Sequence, residues 1–125
     1  MQPARSDDGY LWDMLTAAEA VVCFVQGRTL SDDLADLLLR SDVERQVEIL
    51  GEAARRVSSG FRDAHPEIPW RPIQAQRHVL AHDYGEIKHD RLWRVATEHI
   101  PQLIVTLKPL VPTPPSDAVA DNSGG

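Results

Sequence analysis

The chain has 125 residues, 42% of them hydrophobic and 26% charged, which fits one domain with enough apolar content for a single core. No apolar run reaches the span of a bilayer, and no basic segment precedes an apolar stretch near the N-terminus, which predicts a cytoplasmic protein. The net charge of −6 argues against indiscriminate nucleic-acid binding, yet it is unevenly spread: residues 1–52 hold 4 basic and 11 acidic side chains, residues 53–108 hold 9 basic and 6 acidic. A polyanion therefore meets its least repulsive surface in the second half.

The first helix is predicted to follow Asp7 and Asp8, either of which can cap it and complement its positive end. Leu11, Leu15, Ala18, Val22 and Val25 recur at helical spacing up to Gln26, and Gly27 is the expected stop. The single cysteine, Cys23, excludes an intrachain disulfide framework or a cysteine metal cluster. Its neighbours Val21, Val22 and Phe24 predict a small buried hydrophobe. Ser31 is read as the cap of a short second helix carrying Leu34, Leu37, Leu38 and Leu39. Ser41 or Asp42 then opens a third, with Val43, Val47, Leu50, Ala54 and Val57 on one stripe and the small residues Gly51, Ala53 and Ala54 suited to close helix packing. Ser58, Ser59 and Gly60 end it.

The prolines of His65-Pro66-Glu67-Ile68-Pro69-Trp70 predict an ordered turn, since each removes a donor and restricts its predecessor. A fourth helix is expected over 70–81, and a fifth over 88–107 with Leu92, Val95, Ala96, His99, Leu103 and Leu107 inward. Pro101 cannot donate to the carbonyl of Thr97, which predicts a kink. No segment alternates as a strand. The expected architecture is all-α: a bundle of four main helices plus a short one over residues 8–110, then a disordered Pro- and Gly-rich tail over 111–125.

Chemistry concentrates in Arg77-His78-Val79-Leu80-Ala81-His82-Asp83-Tyr84. So many titratable groups are costly in a core, but at a helix end opening into a groove they make a reactive surface. An arginine fork neutralises phosphate oxygens and a histidine moves protons near neutral pH. Together they suffice for RNA cleavage by the neighbouring 2′-hydroxyl without a metal. At about 100° per residue, however, Arg77 and His82 stand roughly 140° apart around an ideal helix, whereas Arg77 nearly aligns with Tyr84 and His78 with His82. One regular helix does not build the arginine–histidine site. Either its last turn unwinds or a two-fold dimer completes a shared cleft, and the dimer is favoured.

The chain resembles the HepT-like ribonucleases, the toxin half of HEPN/nucleotidyltransferase toxin–antitoxin systems. The landmarks are Ile49-Leu50-Gly51-Glu52-Ala53-Ala54, the His65–Trp70 run, the Arg77–Tyr84 segment, Leu92-Trp93 and Ile100-Pro101. The resemblance implies a HEPN-type helical bundle, a homodimer with the motif at its interface, and an endoribonuclease needing no metal or other cofactor. It implies catalytic roles for Arg77 and His82, and makes Tyr84 the residue that a partner nucleotidyltransferase antitoxin adenylylates, as in a type VII-like pair. His78, Asp83 and Glu52 would support the groove. Two positions depart from the family's pattern: His78 stands where asparagine is common, and Asp83 where glycine is. His78 adds a titratable ring, and the charge of Asp83 weakens phosphate binding.

Plainer roles stand beside these. His82 can bond helix-terminal carbonyls, Arg77 can pair with Glu52, and Tyr84 can be an interface aromatic. His78 and His82, at i and i+4, could hold a metal with Asp83 or His89 as a third ligand, although no zincin motif accompanies them. His65 and His99 read as structural, and Trp70 and Trp93 as core or dimer-seam residues. A non-catalytic HEPN module binding a nucleotide or a partner protein through the same groove is the alternative function.

Overall fold

The computed structural model describes residues 6–82 and 85–112, and the side chains of all of these except 77–82 and 85–87. Among the described residues every regular element is helical: α1 (Asp7–Val25), α2 (Leu30–Ala35), α3 (Leu37–Arg56), α4 (Ser59–Ala64), α5 (Trp70–His82), α6 (Gly85–Arg94), a π-helical segment (Val95–His99), α7 (Ile100–Leu107) and a 3-10 turn (Lys108–Leu110). This is the all-α, HEPN-type bundle expected. No helix among these residues is long and apolar enough to cross a membrane.

The most extensive pairing is between α1 and α3, with α5 packed on α3 and α7 on α1. Leu11, Leu15, Ala18 and Val25 from α1 and Val43, Val47, Leu50 and Ala54 from α3 are buried, so most of both predicted stripes faces one core; Val22 is only half-buried, and Met14 and Val21 are buried instead. Gly51, Ala53 and Ala54 are buried as well, which lets α3 carry neighbours on two sides. Gly27, at φ 73°, stops α1 in a conformation that favours glycine.

Several local readings need correction. Ser6, not Asp7 or Asp8, is the N-cap of α1; the aspartates lie inside its first turn. Asp7 is used elsewhere: its carboxylate accepts from the Ser58 amide at 2.8 Å and the Ser58 hydroxyl at 2.6 Å, joining the start of α1 to the α3–α4 corner. Asp7→Ala should cost about 1 kcal/mol, read as a lower urea midpoint with an unchanged slope. Cys23 is exposed rather than buried. Val21 and Val25, one turn apart, take the core-facing side of α1, and Cys23 lies about 200° around the helix from Val21.

Thr29, not Ser31, caps α2. Its hydroxyl accepts from the Asp32 amide at 3.1 Å while the Asp32 carboxylate accepts from the Thr29 amide at 2.9 Å, a reciprocal box that Ser31 cannot form with Leu34. The chain then bends at Asp36, whose carboxylate accepts from the Leu39 amide at 3.1 Å and starts α3 at Leu37, ahead of Ser41 and Asp42. Leu37–Leu39 thus belong to α3, with Leu39 buried and Leu37 and Leu38 exposed. The short α4 was not foreseen; Ser58, read as an end, is its cap, accepting from the Phe61 amide.

At Pro101, where a kink was expected, the helix is disturbed in a particular way. The Ile100 amide donates to the Val95 carbonyl, five residues back, so the missing proline donor is absorbed by a wider π turn. The inserted residue moves the inward register: Ile100 takes the core position and His99 is exposed, against the expectation that His99 faces inward.

Candidate active site

Arg77, His78 and His82 all lie on α5, whose backbone stays helical through His82. The alternative in which the last turn unwinds between Arg77 and His82 therefore does not hold. In a regular helix the two stay roughly 140° apart. Their side chains, and Asp83 and Tyr84 altogether, lie outside the described residues. The motif occupies the end of α5 and the two residues before α6, and the surrounding frame fixes both elements.

The entry to α5 is built by the proline turn. The Trp70 indole donates to the His65 carbonyl at 2.9 Å, the His65 ring stacks on Phe61 with centroids 4.3 Å apart, and its Nδ1 lies 3.0 Å from the Glu67 carboxylate. Ile68, Trp70 and Ile73 are buried, so the first two turns of α5 are anchored in the core. Trp70 is a core residue, and Trp93 packs half-buried against the same core.

Alongside those turns, α3, α5, the π-helical segment and α7 border an apolar groove of about 410 Å³ including its mouth, lined by Val47, Leu50, Pro72, Ile73 and Leu103 with Gln76 and His99. Gln76 directly precedes Arg77. Its amide nitrogen reaches the Pro72 carbonyl at 3.5 Å, and its carbonyl oxygen is buried with no hydrogen bond.

Glu52, a family landmark, sits on α3 with its carboxylate accepting from Arg55 at 2.7 Å and Arg56 at 2.9 Å. The hydrogen bond and charge of Glu52 push the Arg55 guanidinium further toward its charged form. His89, considered as a metal ligand, instead has its Nε2 2.9 Å from the Arg40 guanidinium. Among the described residues no three metal-binding side chains come together.

The exit to α6 is held by groups outside the motif. Lys88 pairs with Glu44 at 2.8 Å, and beside Arg40 and His89 lies Asp33, the one charged residue among those described that is buried. Helical spacing makes these residues look like solvated faces. Only the packing of α2 and α3 against α6 brings them together. Burial raises the Asp33 carboxyl above its ordinary range, and the nearby Arg40 guanidinium offsets this only in part. With the folded value above the unfolded one, Asp33 favours folding most at low pH. That contribution falls as pH rises from the ordinary carboxylate value through the raised one. Asp33→Asn should flatten this weakly acidic limb of the stability–pH curve, as urea unfolding across that range would show.

The family profile described as "Ribonuclease HepT-like" matches residues 14–110. A protein of Thermococcus cleftensis named "Probable ribonuclease HepT" is 36% identical over 99 residues, covering 79% of this chain and 90% of that protein. A provisionally named RNase of Methanocaldococcus jannaschii is 30% identical over 99 residues, covering 79% and 91%. Another, from Caldanaerobacter subterraneus, is 29% identical over 102 residues, covering 82% and 91%. No solved structure matches the chain. The arginine–histidine–tyrosine segment thus sits at the α5–α6 junction of a helical bundle matched over most of its length, and the chain belongs to the HepT-like ribonuclease family.

Proposed function

We propose that this protein is a cytoplasmic, metal-independent endoribonuclease acting as a homodimer, the toxin of a type VII-like pair whose nucleotidyltransferase antitoxin silences it by adenylylating Tyr84. The observation that carries the dimeric site is the unbroken helix through His82, which in one chain keeps Arg77 and His82 on different sides. Family membership and the RNase names of the relatives support RNA as the substrate.

Across a two-fold axis, Arg77 of one protomer and His82 of its partner face one cleft. His82 takes the proton of a ribose 2′-hydroxyl, and the freed oxygen attacks the adjacent phosphorus. The 5′-oxygen leaves and is protonated, giving a 2′,3′-cyclic phosphate and a 5′-hydroxyl end. Arg77 stabilises the charge that builds on the phosphorane oxygens. His78, beside Arg77, supplies a second titratable group to the groove, and Asp83 limits how tightly phosphate is held.

Purified protein should cleave total tRNA in the presence of a chelator, and Arg77→Ala or His82→Ala should abolish the cleavage. Persistence in both variants would sink the assigned site. Binding of RNA or a nucleotide without cleavage would favour the non-catalytic module, to which the departures at His78 and Asp83 lend support.

A further inference from the structure

The start of α6 follows the motif directly, and the contacts that hold it are made by side chains the proposed chemistry does not use. His89 lies on the second turn of α6, five residues after Tyr84. Its Nε2 is 2.9 Å from Nη1 of Arg40 on α3. Arginine has donors only, so the imidazole must accept there, which places the ring proton on Nδ1. That Nδ1, and the Nε of Arg40, are buried without hydrogen-bond partners. Buried polar groups left unpaired are costly in a low local dielectric, which makes a nearby compensating charge matter.

The compensating charge comes from α2. Asp33 is only 4% exposed, and its carboxylate lies within electrostatic reach of the Arg40 guanidinium. Glu44 of α3, paired with Lys88 of α6 at 2.8 Å, and Asp36 at the α2–α3 bend complete the charged groups around it. Two adjacent residues of α6 are thus fastened to α3, one by an ion pair and one by a hydrogen bond in a partly buried, internally unsaturated cluster.

We infer that Arg40, His89 and Asp33 form a positioning tether that fixes the start of α6, and through it the Tyr84 side of the motif, against the α2–α3 corner. The inference rests on the proposed reading for its link to catalysis, while the tether itself is a claim about α6. None of the three is a catalytic residue. They act through the placement of the segment between α5 and α6, where a displacement of about 1 Å can cost up to about a hundredfold in rate.

Amide hydrogen exchange and steady-state cleavage of a tRNA substrate test this on the full chain. Arg40→Met and His89→Leu should each raise exchange of residues 85–94 about tenfold while the amides of α1 and α3 stay protected. In the same variants kcat should fall about tenfold with KM within about twofold of wild type. His89→Gln should restore both readouts, because its amide oxygen reaches the position of Nε2. His89→Asn should not, because its shorter amide reaches only the position of Nδ1. Unchanged exchange over 85–94 in Arg40→Met and His89→Leu would overturn the tether. So would loss of protection spread evenly over the chain and not rescued by His89→Gln, the mark of a merely structural role. If the wild-type chain cleaves no RNA, the proposed activity fails, and the exchange of residues 85–94 alone still decides the tether.

Discussion

Equal amounts of Arg77→Ala and His82→Ala protomers, each inactive alone, are expected to recover about one quarter of wild-type RNA cleavage once their subunits exchange. Each single variant should lose about a hundredfold or more. Truncating Arg77 removes the donor that meets the developing phosphorane charge, and truncating His82 removes the proton acceptor for the 2′-hydroxyl. Random pairing makes about half of the dimers mixed, and each mixed dimer holds one intact site and one doubly impaired site. The expectation follows from the helix. With α5 regular through His82, a site needing both residues is proposed to draw them from different chains. Mixed dimers that form, as shown by two affinity tags, and yet stay inactive would place the whole site within one chain. The same mixture controls for folding, because neither variant can regain activity unless both protomers are correctly built.

How much of this the residues disclosed depends on whether the interaction is local or tertiary. The buried stripes of α1 and α3 were legible because apolar spacing at 3.6 residues is a property of the segment itself. Caps were less so: Ser31 suits a cap by residue type, but it is Thr29 whose box with Asp32 closes and starts the helix. Pro101 announced a disturbance but not its form, and the π turn decided that Ile100 and not His99 enters the core. Cys23 was misjudged because its neighbours in sequence are apolar, whereas burial on a helix follows angle rather than adjacency. At the candidate site the motif itself could be read, since Arg77, His82 and Tyr84 are a pattern along the chain. The Asp33–Arg40–His89 cluster could not. Its members are separated by 49 residues between Arg40 and His89, and each alone resembles a solvated polar residue.

Incubation with a nucleotidyltransferase antitoxin and ATP is expected to lower RNA cleavage at least about a hundredfold, while Tyr84→Phe keeps its activity and resists silencing. In the step proposed, the Tyr84 hydroxyl oxygen attacks the α-phosphorus of ATP, pyrophosphate leaves, and the phenolic proton passes to solvent. AMP is then joined to the ring through a phosphodiester. The product adds a nucleotide's bulk and a permanent negative charge next to residues meant to receive RNA phosphates. Arg77 then has a covalently tethered anion to pair with, at an effective concentration that free RNA cannot match. Asp83 already adds one negative charge beside Tyr84, so the modified segment presents two anions where the RNA backbone must approach. Exclusion and repulsion act together, and the repulsive part should weaken with salt while the steric part should not. Mass spectrometry should find one or more adenylyl groups on the peptide containing Tyr84 and none there in Tyr84→Phe. If Tyr84→Phe is silenced as fully as wild type, the antitoxin acts by occluding the groove and modification of Tyr84 is not the switch.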